Sequence, residues 1–285
     1  MVASTHTAAC SHTNVPRSVA VVGAKGGVGR SVIALNLAVA AGQGRRVLLL
    51  DATLSGGDLA TLAGVEAPAG LLRGGEPRVS RVTDGVDLAV LSTSPGDDIT
   101  AGLQAANMGW EKAYDWIVAD TGTGIDGPAL ASARVADDVL LVVAPEMPAV
   151  ADGYATLKAI RGHRPALRAD CIVNMAESAS EAEGVYDGLA DLARSFLRAE
   201  IDNQGYIPFN RHVRVAAKSQ TPFVLAFPSS PAAAAITRIA TQLTERSSPL
   251  RQPNEGAFLE GTLRSLVEYP PQECLEPLQE VWATP

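Results

Sequence analysis

At 285 residues the chain can bury a full core, arranged as one large α/β domain or two small ones. Hydrophobic residues make up 47% and aromatics only 5%, so Ala, Val, Leu and Ile must fill that core, the usual content of strands covered on both faces. A net charge of −8 speaks against general nucleic-acid binding, and the scattered Cys10, Cys171 and Cys274, with the histidines elsewhere, outline neither a disulfide framework nor a zinc site.

Residues 1–17, rich in Ser, Thr and Ala, have no periodicity and no apolar h-region. They read as a flexible lead-in without a signal peptide. "SVAVV" (18–22) then predicts a strand, and "SVIALNLAVAAG" (31–42) a helix apolar nearly all round and therefore buried. Further strands are expected at "RVLLLD", ending on Asp51, at "DLAVL" (87–91), and at "YDWIVAD", ending on Asp120. "DDVLLVVA" (137–144) and "DCIVNM" (170–175) complete the set. Continuous apolar strands, each followed by a helix, predict a doubly wound, mostly parallel α/β sheet over 18–245. Ligands of such sheets bind beyond the carboxyl ends of the strands, where Asp51 and Asp120 fall. A linker with Pro249 and Pro253 opens a final stretch, 246–285, that ends in an acidic tail. No apolar run reaches the roughly 18 residues of a membrane span, so a cytosolic protein is expected.

The chemistry concentrates in "GAKGGVGRS" (23–31), between the first strand and the first helix. Glycines let backbone N–H groups approach phosphate oxygens, and the helix adds its positive dipole end. Ser31 stands where a hydroxyl can ligate Mg²⁺. The pattern G-x-x-x-x-G-K-[ST] is broken at Ala24 and Arg30. A plain Gly turn is one alternative. A dinucleotide fingerprint is another, with Asp51 about 20 residues on, but its third glycine would fall at the branched Val32.

With Lys25 included, the loop resembles the deviant Walker A motif of the MinD/ParA family, K-G-G-x-G-K-[ST]. "YDWIVADTGTGID" is similar to that family's Walker B strand. "ADDVLLVVAPEMPAVADGYATLKAI" and "GYIPFNRHVRVAAKSQTPFVLAFPSSPAAAAITRIA" resemble its flagellar members, FlhG or FleN, so that 18–243 can be laid on the family. The resemblance implies an ATP- and Mg²⁺-binding site formed by Ala24, Lys25, Gly26, Gly27, Val28, Gly29, Arg30 and Ser31, with Ser31, Asp51 and Asp120 on the metal side. It implies that Lys25 reaches the partner's nucleotide across a homodimer, that Arg30 replaces the lysine clasping the phosphates, and that Asp51 serves catalysis. Asn174 matches a position that reads the adenine edge; a strand-end cap explains it as well.

Two departures bear on chemistry. Relatives carry D-x-D where this chain has Asp51-Ala52-Thr53, and a threonine hydroxyl cannot take a proton. Arg30 offers a wide planar fork in place of a compact ammonium. Nucleotide binding with weakened hydrolysis is therefore expected, in a switch acting on a protein partner of a flagellar or similar surface machine. A non-hydrolysing scaffold for a pilus or secretion apparatus and a partition ATPase are the other readings. "GAFLEGTLRSLVE" spaces Phe258, Leu259, Leu263, Leu266 and Val267 for one helical face. Its flanking charge is acidic, the wrong sign for anionic lipid, so membrane contact is at most weak and docking on the domain or a partner is expected. Arg211, His212, Arg214 and Lys218 form a basic cluster, either a solvated face or a partner contact.

Overall fold

Runs of Val, Leu, Ile and Ala without polar alternation are stable as strands only when both faces are covered. The computed structural model describes residues 15–23, 25–54, 56–91, 99–125, 129–146, 148–165, 167, 169–246 and 257–269. Ala24, the lead-in to residue 14, the linker 247–256 and the tail from 270 lie outside the described residues. The first half runs β1 (Arg17–Val22), α1 (Arg30–Ala41), β2 (Val47–Asp51), α2 (Leu59–Ala63), β3 (Ser80–Thr83), β4 (Val86–Val90), α3 (Ile99–Asn107), β5 (Trp116–Asp120) and α4 (Ala131–Val135). The second half runs β6 (Asp138–Val143), α5 (Ala149–His163), β7 (Ala169–Ala176), α6 (Ala179–Leu192), β8 (Ile201–Pro208), α7 (Arg211–Lys218), α8 (Phe223–Ala226), α9 (Pro231–Glu245) and α10 (Phe258–Glu268).

Among the described residues, eight strands form one sheet in the order β3-β4-β2-β5-β1-β6-β7-β8. All neighbours pair in parallel except β3 with β4. One face carries Ala20, Leu48, Leu50 and Ile117 toward α10 and its neighbours; the other carries Val19, Val21, Leu49 and Val118 toward α1 and α9. The doubly wound α/β architecture expected from the strand pattern is thus present. Two strands had no counterpart in that pattern. β3 is a short, partly exposed antiparallel edge. β8, "IDNQGYIP", is polar, and its pairing with β7 shifts near Gly205, whose φ of +90° suits a residue without a side chain.

The first helix is buried as expected, and the amide of Asn36 in its middle is satisfied. Asn36 donates to the Val32 carbonyl at 2.8 Å and accepts from the Val224 N–H at 3.0 Å, which ties α8 to α1.

The expected apolar helix near the C-terminus is α10, and it docks on this chain's own α3 and α4. Phe258, Leu259, Leu263 and Leu266 are buried, but Val267 is 57% exposed; Thr262 and Ser265 take the remaining covered positions. The contact face is therefore rotated from the one that the apolar spacing predicts, because small polar side chains fit where helices approach closely. A carboxylate anchors the helix start: Glu111, itself buried, accepts from the Phe258 and Leu259 N–H groups at 2.9 and 3.0 Å. Both bonds satisfy donors that a helix N-terminus leaves open. Glu111→Gln should weaken this charge-assisted cap by ~1–3 kcal/mol and expose α10 first. Urea unfolding followed by limited proteolysis checks it; an unchanged midpoint with α10 still protected would show that apolar packing alone holds the helix.

Candidate nucleotide-binding site

β1 lies between β5 and β6, and the chain leaving it must turn at once into α1. Gly27 and Gly29 make that turn with φ of +90° and +85°. Gly29 is the N-cap of α1 and no side chain caps the helix, so the first-turn N–H groups are left for an anion. Asn174, at the end of β7, donates from Nδ2 to the Val28 carbonyl at 2.8 Å. Its amide thus braces the loop, a use that neither a base-reading role nor a strand-end cap anticipates. A Cβ on Gly29 would lie 2.4 Å from that Nδ2.

The two aspartates meet because β2 and β5 are adjacent and in register, Asp51 opposite Asp120. Both are 1% exposed. Burial pushes the Asp51 carboxyl up to about 6, hydrogen bonding from Thr53 opposes this, and the charge of Asp120 adds to it. Thr53 engages Asp51 through its backbone N–H, at 3.1 Å, and through its side chain. The Leu59 N–H also hydrogen-bonds Asp51, and Gly57 passes so close that a Cβ there would clash with both carboxylate oxygens.

Arg30, the first residue of α1, does not stand alone over the loop. Its Nε donates to Asp120 Oδ1 at 2.6 Å in a pair whose side chains are 9% and 1% exposed. Burial raises the Asp120 carboxyl above the usual carboxylate range, while Arg30 and a hydrogen bond from Ser31 hold it down. Asp120 Oδ2 is buried with no hydrogen-bond partner. An orphaned carboxylate oxygen, a second carboxylate one strand away and the Ser31 hydroxyl fit a hard, oxygen-seeking cation such as Mg²⁺. Among the described residues no group of three or more His, Cys, Asp or Glu forms a metal cage. A cation here would complete its shell with phosphate and water, the usual habit of Mg²⁺.

Lys25 stands apart from this cluster, half-exposed, with Nζ 3.1 Å from Glu146 Oε2. Glu146 follows β6 and lines, with Lys25, Val28 and Asp152, a shallow cleft beside the loop. Nothing in its sequence context singled it out. Of the basic cluster on α7, Arg211, Arg214 and Lys218 are exposed, whereas His212 stacks on Phe227 at 4.5 Å and belongs to the packing. Among the described residues no helix is long and apolar enough to cross a membrane.

Comparison with known proteins follows the same outline. The ParA family profile described as NUBPL iron-transfer P-loop NTPase matches residues 14–93. The antiactivator FleN of Pseudomonas aeruginosa is 32% identical over 268 residues, 88% of this chain and 94% of that protein. The flagellum site-determining protein YlxH of Helicobacter pylori is 28% identical over 190 residues, covering 62% of this chain and 64% of that one. The septum site-determining protein MinD of Pyrococcus horikoshii, solved with Mg-ADP, superposes with a TM-score of 0.65 over 81% of this chain and 97% of that chain; at 20% identity it shows a shared fold.

Proposed function

The chain belongs to the MinD/ParA family of P-loop NTPases, alongside its FleN/FlhG members, and on that footing we propose that it is an ATP-dependent dimerising switch with weakened hydrolysis. The observation that carries this reading is the uncapped start of α1 behind two left-handed glycines, facing the Asp51–Asp120 pair. The backbone of 24–29 and the α1 dipole grip the phosphates. Arg30 supplies fixed positive charge, and Asn174 holds the loop in its binding shape. Ser31 and Asp120 would hold Mg²⁺, whose charge would offset that of the carboxylate and the phosphates. Asp51 orients Thr53 and Leu59 through its hydrogen bonds and positions water for attack.

Lys25 acts across a homodimer. Its present partner, Glu146, is an exposed one, and such pairs are worth ~0–1 kcal/mol, so releasing Lys25 to another subunit costs little. The dimer then presents a surface to a protein partner; the likeness to YlxH favours one from a flagellar machine. We place the switch in the cytoplasm, with 18–245 as its nucleotide-binding unit. A second reading, a non-hydrolysing scaffold, is favoured by the commitment of Arg30 to Asp120 and of Thr53 to Asp51.

Calorimetry with ATP and with a non-hydrolysable analogue, each with Mg²⁺, tests the site. Saturable heat at sub-millimolar nucleotide is expected, and folded protein that takes up neither would end the switch reading. Light scattering tests the trans role. The analogue should dimerise wild type and fail to dimerise Lys25→Ala, whose affinity as a monomer should change less than about threefold. Equal dimerisation of the two would remove Lys25 from the interface, and a dimer indifferent to nucleotide would favour the scaffold.

A further inference from the structure

We infer that the outward face of α7 docks an acidic, amphipathic segment of a partner protein. The inference deepens the switch reading, on which only its dependence on nucleotide rests. Arg211, Arg214, Val215 and Lys218 fall at i, i+3, i+4 and i+7 of α7, so they share one side of it. All four are exposed. Among the described residues none of the three cations has an ion-pair or hydrogen-bond partner for its side chain. Apolar side chains accompany the charges: Phe209 just ahead of the helix, Val215 within it and Leu225 on α8 are 55%, 48% and 49% exposed.

The inner side of α7 is already occupied. Val213 and Ala216 line one crevice with Val32 of α1 and Leu62 of α2, and His212 stacks on Phe227. The helix therefore has no free apolar side to lay into lipid, which speaks against a membrane. A nucleic-acid face would have to draw phosphates with three cations on a chain of net charge −8, and it would leave the apolar tips without a use. An acidic amphipathic helix uses both kinds of group. Its carboxylates meet the unpaired cations, and its apolar anchors cover Phe209, Val215 and Leu225. The face is also connected to the nucleotide site, through α2. The Leu59 N–H, at the start of α2, hydrogen-bonds Asp51. Past its other end Gly64, with a φ of +68°, approaches the Gln220 carbonyl so closely that a Cβ would lie 2.4 Å from the oxygen. Gln220 follows α7 directly and has a φ of +50°, so this contact has no slack. A nucleotide-driven shift of the segment after Asp51 thus bears, through α2, on the end of α7.

The test is fluorescence anisotropy of the full chain with a labelled amphipathic peptide carrying three Glu at i, i+3 and i+7 beside Leu. The same peptide with Lys for Glu, duplex DNA and phosphatidylglycerol vesicles are the comparison probes. Wild type should bind the Glu peptide at least about tenfold more tightly than the Lys peptide. The double variant Arg214→Glu, Lys218→Glu, its folding checked by circular dichroism, should lose at least about tenfold in affinity for the Glu peptide. Equal affinity of wild type for the two peptides overturns the inference, as does a folded double variant that keeps native affinity. Tighter binding of DNA or of the vesicles than of the Glu peptide overturns it in favour of that surface. The wild-type comparison decides even if the variant does not fold. In saturating ATP analogue with Mg²⁺ the wild-type affinity for the Glu peptide should shift by more than about threefold. A smaller shift, in protein that calorimetry shows to bind the analogue, overturns the connection through α2. If no analogue binds, the switch reading fails, and the docking face is still decided by the peptides.

Discussion

Arg30→Lys combined with Thr53→Asp should raise phosphate release at saturating ATP and Mg²⁺ by ~10²-fold over wild type, the scale on which a misplacement of about 1 Å acts. In the native chain Arg30 is drawn onto Asp120 at 2.6 Å, so the charge over the phosphates is shared with a carboxylate. A lysine frees that carboxylate for the cation and places a compact tip against the transferring group. Thr53 now hydrogen-bonds Asp51 and adds no base to the water side. An aspartate at 53 adds one, but it also sets a like charge beside Asp51, whose carboxyl already sits at about 6. Thr53→Asp alone should therefore gain little. The pair should gain more than the product of the singles, because both act on one transition state. Wild-type turnover equal to that of the double variant would mean that arginine serves as well as lysine, making this an ordinary ATPase.

Gly29→Ala should weaken nucleotide binding by ~10²-fold, and the reason is geometric. At a φ of +85° an alanine costs ~1–2 kcal/mol. Its Cβ, 2.4 Å from Asn174 Nδ2, also forces that amide off the Val28 carbonyl, a bond worth ~1 kcal/mol. Together ~2–3 kcal/mol correspond to about two decades in affinity, provided that the strain is relieved by distorting the loop. Asn174→Ala removes the clash but not the dihedral strain. The double variant Gly29→Ala, Asn174→Ala should thus bind more tightly than Gly29→Ala and more weakly than wild type. Calorimetry on the three proteins gives the cycle. Native affinity in Gly29→Ala would show that this turn does not shape the grip.

The sequence alone determined whatever depends on neighbouring residues. Apolar runs marked β1, β2, β4, β5, β6 and β7, glycines spaced along nine residues marked the phosphate loop, and Asp51 and Asp120 stood out because each ends such a run. β3 and β8 escaped because edge strands bury little, and their polar residues carry no apolar signal. Tertiary structure alone decided what each site residue holds. Arg30 and Asp120 are 90 positions apart, Asn174 and Val28 are 146 apart, and Glu111 and Phe258 are 147 apart. Those partnerships follow from strand order, which sets β5 against β1, and from helix packing, which brings α10 over α3 and α4. Local spacing records which way the backbone runs; the partner of a buried charge is chosen by whichever distant group the packed sheet and helices bring within hydrogen-bonding distance.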